Sequence, residues 1–138
     1  MLVKLLLVCC GSAGALLTAD GTQTWSATLQ PRGGSRTTGS ARLESVGTDS
    51  LRLTLNLQHA RPHATLAWAI HHGKCSEAGA VWGTPESYPP LETDFTGETW
   101  EVVYVTEAPP NGAFSVVIHS GAELTGGIAA CGNLATAP

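Results

Sequence analysis

The sequence predicts an all-β protein, an antiparallel sandwich or flattened barrel. Three observations predict it. Apolar residues recur at every second position in one segment after another, Gly- and Pro-rich stretches separate those segments, and no segment sustains a helical period. Six to eight short strands in a chain of 138 residues suit one domain, not two.

The first segment reads as an export signal. Lys4 precedes the apolar run Leu5-Leu6-Leu7-Val8-Cys9-Cys10, and the small residues Gly11, Ser12, Ala13, Gly14 and Ala15 follow. The run is far shorter than the roughly 20 residues that span a bilayer. Residues 1–19 are therefore assigned to a signal, cleaved or lipid-attached, and residues 20–138 to the domain. Cys9 and Cys10 are the candidate lipid-attachment positions, although Val8 stands where a small residue usually precedes a lipidated Cys. If the signal is simply cut off, both cysteines leave with it. Export leaves Cys75 and Cys131 as the two cysteines of the domain, and in an oxidising compartment such a pair is expected to bridge. A Cys–His metal site is the alternative for them.

After the signal the strands follow in order. Trp25, Ala27 and Leu29 alternate with polar neighbours, and a turn over residues 30–38 carries Pro31, Gly33 and Gly34. Ala41 and Leu43 mark the next strand. Leu51, Leu53, Leu55 and Leu57 alternate with Arg52, Thr54, Asn56 and Gln58, the period of a sheet with one buried face. Residues 65–72 read as one strand with Leu66, Trp68 and Ile70 on its apolar face. A loop of residues 73–96 follows, long enough to require a function or a special fastening. Residues 100–106 form a strand on which Trp100, Val102 and Tyr104 share a face. Trp100 is expected in the core with Trp25 and Trp68, and Trp82 is expected to pack beneath the long loop. Pro109, Pro110, Asn111 and Gly112 make a turn. Phe114, Val116 and Ile118 define a strand over residues 113–119, and residues 127–131 a short last one.

Composition excludes some functions. The net charge is −4 and no Lys/Arg cluster exists, so a nucleic-acid partner is not expected. No nucleophile elbow of the Gly-x-Ser-x-Gly kind occurs, and the acidic residues Glu77, Glu86, Glu92, Asp94, Glu98 and Glu101 show no spacing that suggests paired acid/base work.

Two histidines stand out by position. His71 and His119 each end a strand, on the face opposite its large apolar residues, so both are expected to be displayed outward. If the two strand ends are neighbours, the imidazoles can share a metal, and imidazole suits copper and zinc. His63, in the turn after Pro62, and His72, on the opposite face by strand parity, are weaker candidates. His59 reads as a loop residue.

A resemblance enters at these residues. Trp68-Ala69-Ile70-His71-His72-Gly73-Lys74-Cys75 resembles the Trp-His-Val-His-x-Gly-x-Cys segment of small exported bacterial proteins of the copper/zinc superoxide dismutase-like group, some of them also described as similar to the chordin-type domain. Tyr88-Pro89-Pro90-Leu91, Phe114-Ser115-Val116-Val117-Ile118-His119 and Ile128-Ala129-Ala130-Cys131-Gly132-Asn133-Leu134 resemble later segments of that group, in the same order. The resemblance covers roughly residues 24–134. It implies a Greek-key sandwich, copper ligation by His71 and His119, and a disulfide between Cys75 and Cys131.

The chain departs from the pattern in ways that matter. Ala69 stands where the first His of the copper-binding pair belongs, residues 76–96 hold no His, and no Arg follows Cys131. The bridging and zinc-binding histidines and the superoxide-steering Arg of the dismutases thus have no counterparts. An active dismutase needs donors the sequence does not supply. The missing donors favour a non-catalytic exported scaffold, or a protein that binds a partner in the cell envelope, as a monomer or weak dimer. A copper-binding protein using His71 and His119 is the alternative.

Overall fold

The structure is a computed structural model, and it describes residues 23–47, 49–105 and 112–136. The expected signal with Cys9 and Cys10, and the turn residues Pro109, Pro110 and Asn111, lie outside the described residues.

The strands are β1 (Thr24–Pro31), β2 (Thr38–Ser45), β3 (Leu51–Gln58), β4 (Thr65–Leu66), β5 (Trp68–His72), β6 (Leu91–Glu92), β7 (Thr99–Val105), β8 (Phe114–His119) and β9 (Ile128–Thr136). Seven form one antiparallel sheet in the order β5-β8-β9-β1-β2-β3-β7, which curls into a half-barrel. A small ribbon of β4 and β6 stands apart from it.

β3 shows why the sheet curls around a core. Its four leucines are at most 1% exposed, while Asn56 and Gln58 face water and Arg52 and Thr54 are half-buried. Burying four leucines supplies roughly 6–12 kcal/mol of gross hydrophobic stabilisation. A slip of one residue would turn all four outward, so the register is strongly fixed. The register sets Leu53 opposite Leu43 on β2 and Val103 on β7.

That pairing corrects the reading of Trp100. Leu51 and Leu53 face Val105 and Val103 across the ladder, so the odd-numbered residues of β7 point inward. Trp100 and Tyr104 therefore project outward and are 64% and 63% exposed, whereas Trp25 and Trp68 lie in the core as expected.

The expected strand over residues 65–72 is broken at Ala67. The Ala67 N–H donates to the Gly121 carbonyl (2.7 Å) and its own carbonyl accepts from the His119 N–H (2.8 Å). β4 then leaves the main sheet and pairs with β6, Thr65 opposite Glu92. The long loop is consequently less bare than its composition suggests. It contains 3-10 turns at Cys75–Glu77 and Pro85–Ser87 as well as β6. Buried Trp68 and Tyr88 pin it: Trp68 Nε1 donates to the Pro89 carbonyl (2.7 Å) and the Tyr88 hydroxyl to the Trp82 carbonyl (2.6 Å). Trp82 does pack beneath the loop, 4% exposed within the core.

Candidate metal centre

β8 positions the site because it is buried on both faces. Phe114, Val116 and Ile118 face the core. Ser115, Val117 and His119 face the other way, beneath the 3-10 turn of the long loop and the β8–β9 connection. β5 lies antiparallel beside β8, with His71 opposite Ser115 and Ala69 opposite Val117. On the other flank β9 places Asn133 opposite Ser115 and Cys131 opposite Val117. Strand parity thus gathers His71, Ser115, His119 and Cys131 on one side of three adjacent strands.

The long loop is tied over this side. Gly73, at φ +90°, turns the chain back at the end of β5, and a Cβ there would stand 2.4 Å from the Glu77 carbonyl oxygen. The Gly73 N–H donates to the Ala113 carbonyl, and the Cys75 N–H to Asn133 Oδ1 (2.7 Å). Cys75 and Cys131 are joined by a disulfide, their Cα atoms 5.9 Å apart. The expected bridge is present, and it fastens the loop to β9 two residues from Asn133.

A register shift at Ile118/His119 sets the second imidazole. His119 pairs with Ile128, leaving Ala129 as the extra residue of a bulge in β9. Bulges re-aim side chains at sites of this kind. The ring of His119 turns under the β8–β9 connection, and its Nδ1–H donates to the Gly126 carbonyl (3.0 Å). His71 is held in the same manner: its Nδ1–H donates to the Gly79 carbonyl of the long loop (2.8 Å). A carbonyl only accepts, so Nδ1 carries the proton in each ring. In a neutral imidazole the lone pair is then on Nε2.

Both Nε2 atoms are buried, with less than 1 Å² accessible, and neither has a hydrogen-bond partner among the described residues. The expectation that both histidines are displayed outward is corrected. His119 is 4% exposed and His71 half-buried, because the face away from the core is covered by loops. The Ser115 hydroxyl is a third buried polar atom without a partner. Each such atom carries a desolvation penalty of roughly 1–3 kcal/mol, and all three lie on one face of the β5–β8 pair.

The two imidazoles are neighbours, with ring centroids 6.3 Å apart and planes inclined at 53°. Two rings on opposite sides of an ion, each bonded at about 2.0–2.1 Å, have centroids roughly 6 Å apart. The centroid spacing is compatible with one ion shared by the two Nε2 donors. Carbonyl-anchored Nδ1–H groups are the usual outer support of metal-bound histidines. The remaining histidines are elsewhere. His72 is exposed, pointing to the other side of β5; His63 is exposed at φ +49°; His59 bonds Thr38 Oγ1 (3.1 Å). No group of three or more His, Cys, Asp or Glu side chains suited to a metal occurs among the described residues. Ala69, fully buried, adds only a methyl group.

No protein-family model matches the chain, and no curated protein does. What the centre can do rests on its own chemistry.

Parity foreshadows Ser115, which shares the His119 face of β8. The two anchoring carbonyls leave no trace in side-chain identity, and sequence reasoning misses them.

Proposed function

We propose that this protein is an exported, non-catalytic copper carrier on a Greek-key, superoxide dismutase-like β-sandwich, with copper held between Nε2 of His71 and Nε2 of His119. The observation that carries the reading is the pair of buried, unpartnered Nε2 atoms, each presented by a backbone carbonyl on its own Nδ1–H. Support for the fold comes from the antiparallel half-barrel and from the order of the motifs along the chain. The leader-like N-terminus and the disulfide support export.

Two imidazoles without further donors suit monovalent copper better than divalent copper, which prefers a tetragonal set of N and O donors. They also suit transfer. A pair of donors releases its ion to a partner offering more, whereas the full ligand set of an enzyme retains it. Dismutation needs both oxidation states to be held in turn, and among the described residues no further His, Cys, Asp or Glu joins the pair. The partner this implies is a copper-accepting protein of the cell envelope.

The test is a competition titration of the full chain with monovalent copper against a chromophoric chelator, under ascorbate and without thiols. One ion per chain is expected, with affinity falling more than about tenfold in both His71→Ala and His119→Ala. Unchanged affinity in the variants would leave the scaffold reading in its place.

A further inference from the structure

Away from the histidine centre, the outer face of β1, β2, β3 and β7 carries aligned rows of side chains. Register places Thr28, Ser40, Asn56 and Trp100 in one row, and Thr24, Glu44, Arg52 and Tyr104 in another. Trp100 and Tyr104 are two of the large hydrophobic side chains most open to water, at 64% and 63%. They stand on the same face of one strand, four residues and roughly 13 Å apart. A shallow groove of about 340 Å³ crosses the face past Gln30, Thr38 and Ser40 to Asn56 and Gln58. A second of about 260 Å³ begins at the same Asn56 and Gln58, passes Asp94 and Glu98, and ends against Trp100. The two meet at Asn56 and Gln58 and make one trench, with an indole at its end.

The chemistry of this trench is specific in what it matches. Amides and hydroxyls predominate, and they both donate and accept. The Trp100 end adds the carboxylates of Asp94 and Glu98, which accept hydroxyl protons; beside Tyr104 the charges are internally paired, Glu44 taking Arg42 Nε at 2.9 Å and Arg52 Nη2 at 2.8 Å. Two exposed aromatic side chains on one strand, Trp100 beside the amides of the trench and Tyr104 beside Arg52, match a chain of pyranose rings, whose C–H faces stack on aromatics and whose hydroxyls pair with polar neighbours. A protein interface core would be poor in serine and closely packed. Anionic ligands would need free cations along the trench.

We infer that this face binds a neutral oligosaccharide, with Trp100 and Tyr104 as stacking platforms and Asn56 and Gln58, beside Trp100, as hydroxyl partners. The site is independent of the histidine centre and would anchor the protein to an extracellular or envelope glycan.

The experiment is affinity electrophoresis of the full chain in native gels containing hydroxyethylcellulose or glycol chitin, with tryptophan fluorescence during titration by the matching soluble oligosaccharides. Trp25, Trp68 and Trp82 are buried, so a saturable fluorescence change reports on Trp100. Retardation by at least one polymer is expected, reduced about tenfold or more in Trp100→Ala and in Tyr104→Ala, and retained in His71→Ala. Thermal unfolding of each variant confirms that it folds. Absence of retardation by both polymers, retardation unchanged in folded Trp100→Ala, or a concentration-dependent dimer that Trp100→Ala abolishes without any glycan response would each overturn the inference.

Discussion

His71 and His119, 48 residues apart in sequence, are neighbours with ring centroids 6.3 Å apart, and in both rings a loop carbonyl takes the Nδ1 proton. The carbonyls come from different loops: Gly79 from the segment tied down by the disulfide, Gly126 from the β8–β9 connection. Orientation of the two donors is thus set by backbone on both sides, and a second copper-binding His at position 69 is not needed to aim them.

Copper should therefore stabilise the fold measurably. A ligand at a hundred times its dissociation constant adds about 2.7 kcal/mol to the native state. For a domain of this size, that raises the melting temperature by roughly 10 °C. Scanning fluorimetry with monovalent copper should show the rise in the parent chain and its loss in His119→Ala. An equal rise in both would place the metal elsewhere.

Ser115 gives a prediction that does not involve metal. Its hydroxyl is fully buried and without a partner among the described residues, so Ser115→Ala removes a desolvated polar atom at almost no change in volume. The variant should be more stable in denaturant by about 1 kcal/mol without metal. A loss of stability would mean that the hydroxyl is satisfied by water in solution.

Much of the fold is legible in the sequence, and the limits of that legibility are physical. The four leucines of β3 fix their own face, because no other phase buries them. β7 also alternates, but both of its phases carry apolar residues: Trp100, Val102 and Tyr104 in one, Val103 and Val105 in the other. Side-chain size favours the aromatic phase, and only the pairing of Val103 with Leu53 and Val105 with Leu51 decides otherwise. For His119 the parity is legible and the environment is not. Facing away from the core means exposure only if nothing covers that face, and here two loops do. Covering by a distant loop is long-range information that a strand's own period does not contain.

The loop before β7 carries a dependence on pH. Asp94 Oδ1 accepts from the Thr96 N–H (2.8 Å), the Thr96 hydroxyl (2.6 Å) and the Glu98 N–H (2.9 Å). These bonds, the Thr96 hydroxyl foremost, hold its carboxyl below the ordinary value of 3.8. A depressed folded value means that the contribution is present above pH 3.8 and is lost as pH falls through the folded value. Amide exchange at Thr96 and Glu98 should therefore accelerate below pH 3.8 beyond the intrinsic trend. In Asp94→Ala it should be fast at every pH, and equal protection in the variant would show that the carboxylate does not hold the turn.

The disulfide links stability to the centre. Cys75 and Cys131 close a loop of 56 residues, for which chain entropy gives about 4 kcal/mol of stabilisation. Replacing both cysteines by serine should lower denaturant stability by an amount of that order. The effect on copper should be separate. Gly79, whose carbonyl aims His71, lies four residues beyond Cys75, whereas Gly126, which aims His119, is on a connection the bridge does not hold. Loosening the bridge should weaken copper binding by way of His71, by roughly the 10–100-fold seen when an outer support of a metal ligand is lost. Titration of the double-serine variant at a temperature where it remains folded measures this. Adding His71→Ala to that variant should then weaken binding less than it does in the parent, because the imidazole it removes is no longer held in place. If the two changes instead multiply fully, the disulfide acts on stability alone and the loop carbonyl keeps its place without it.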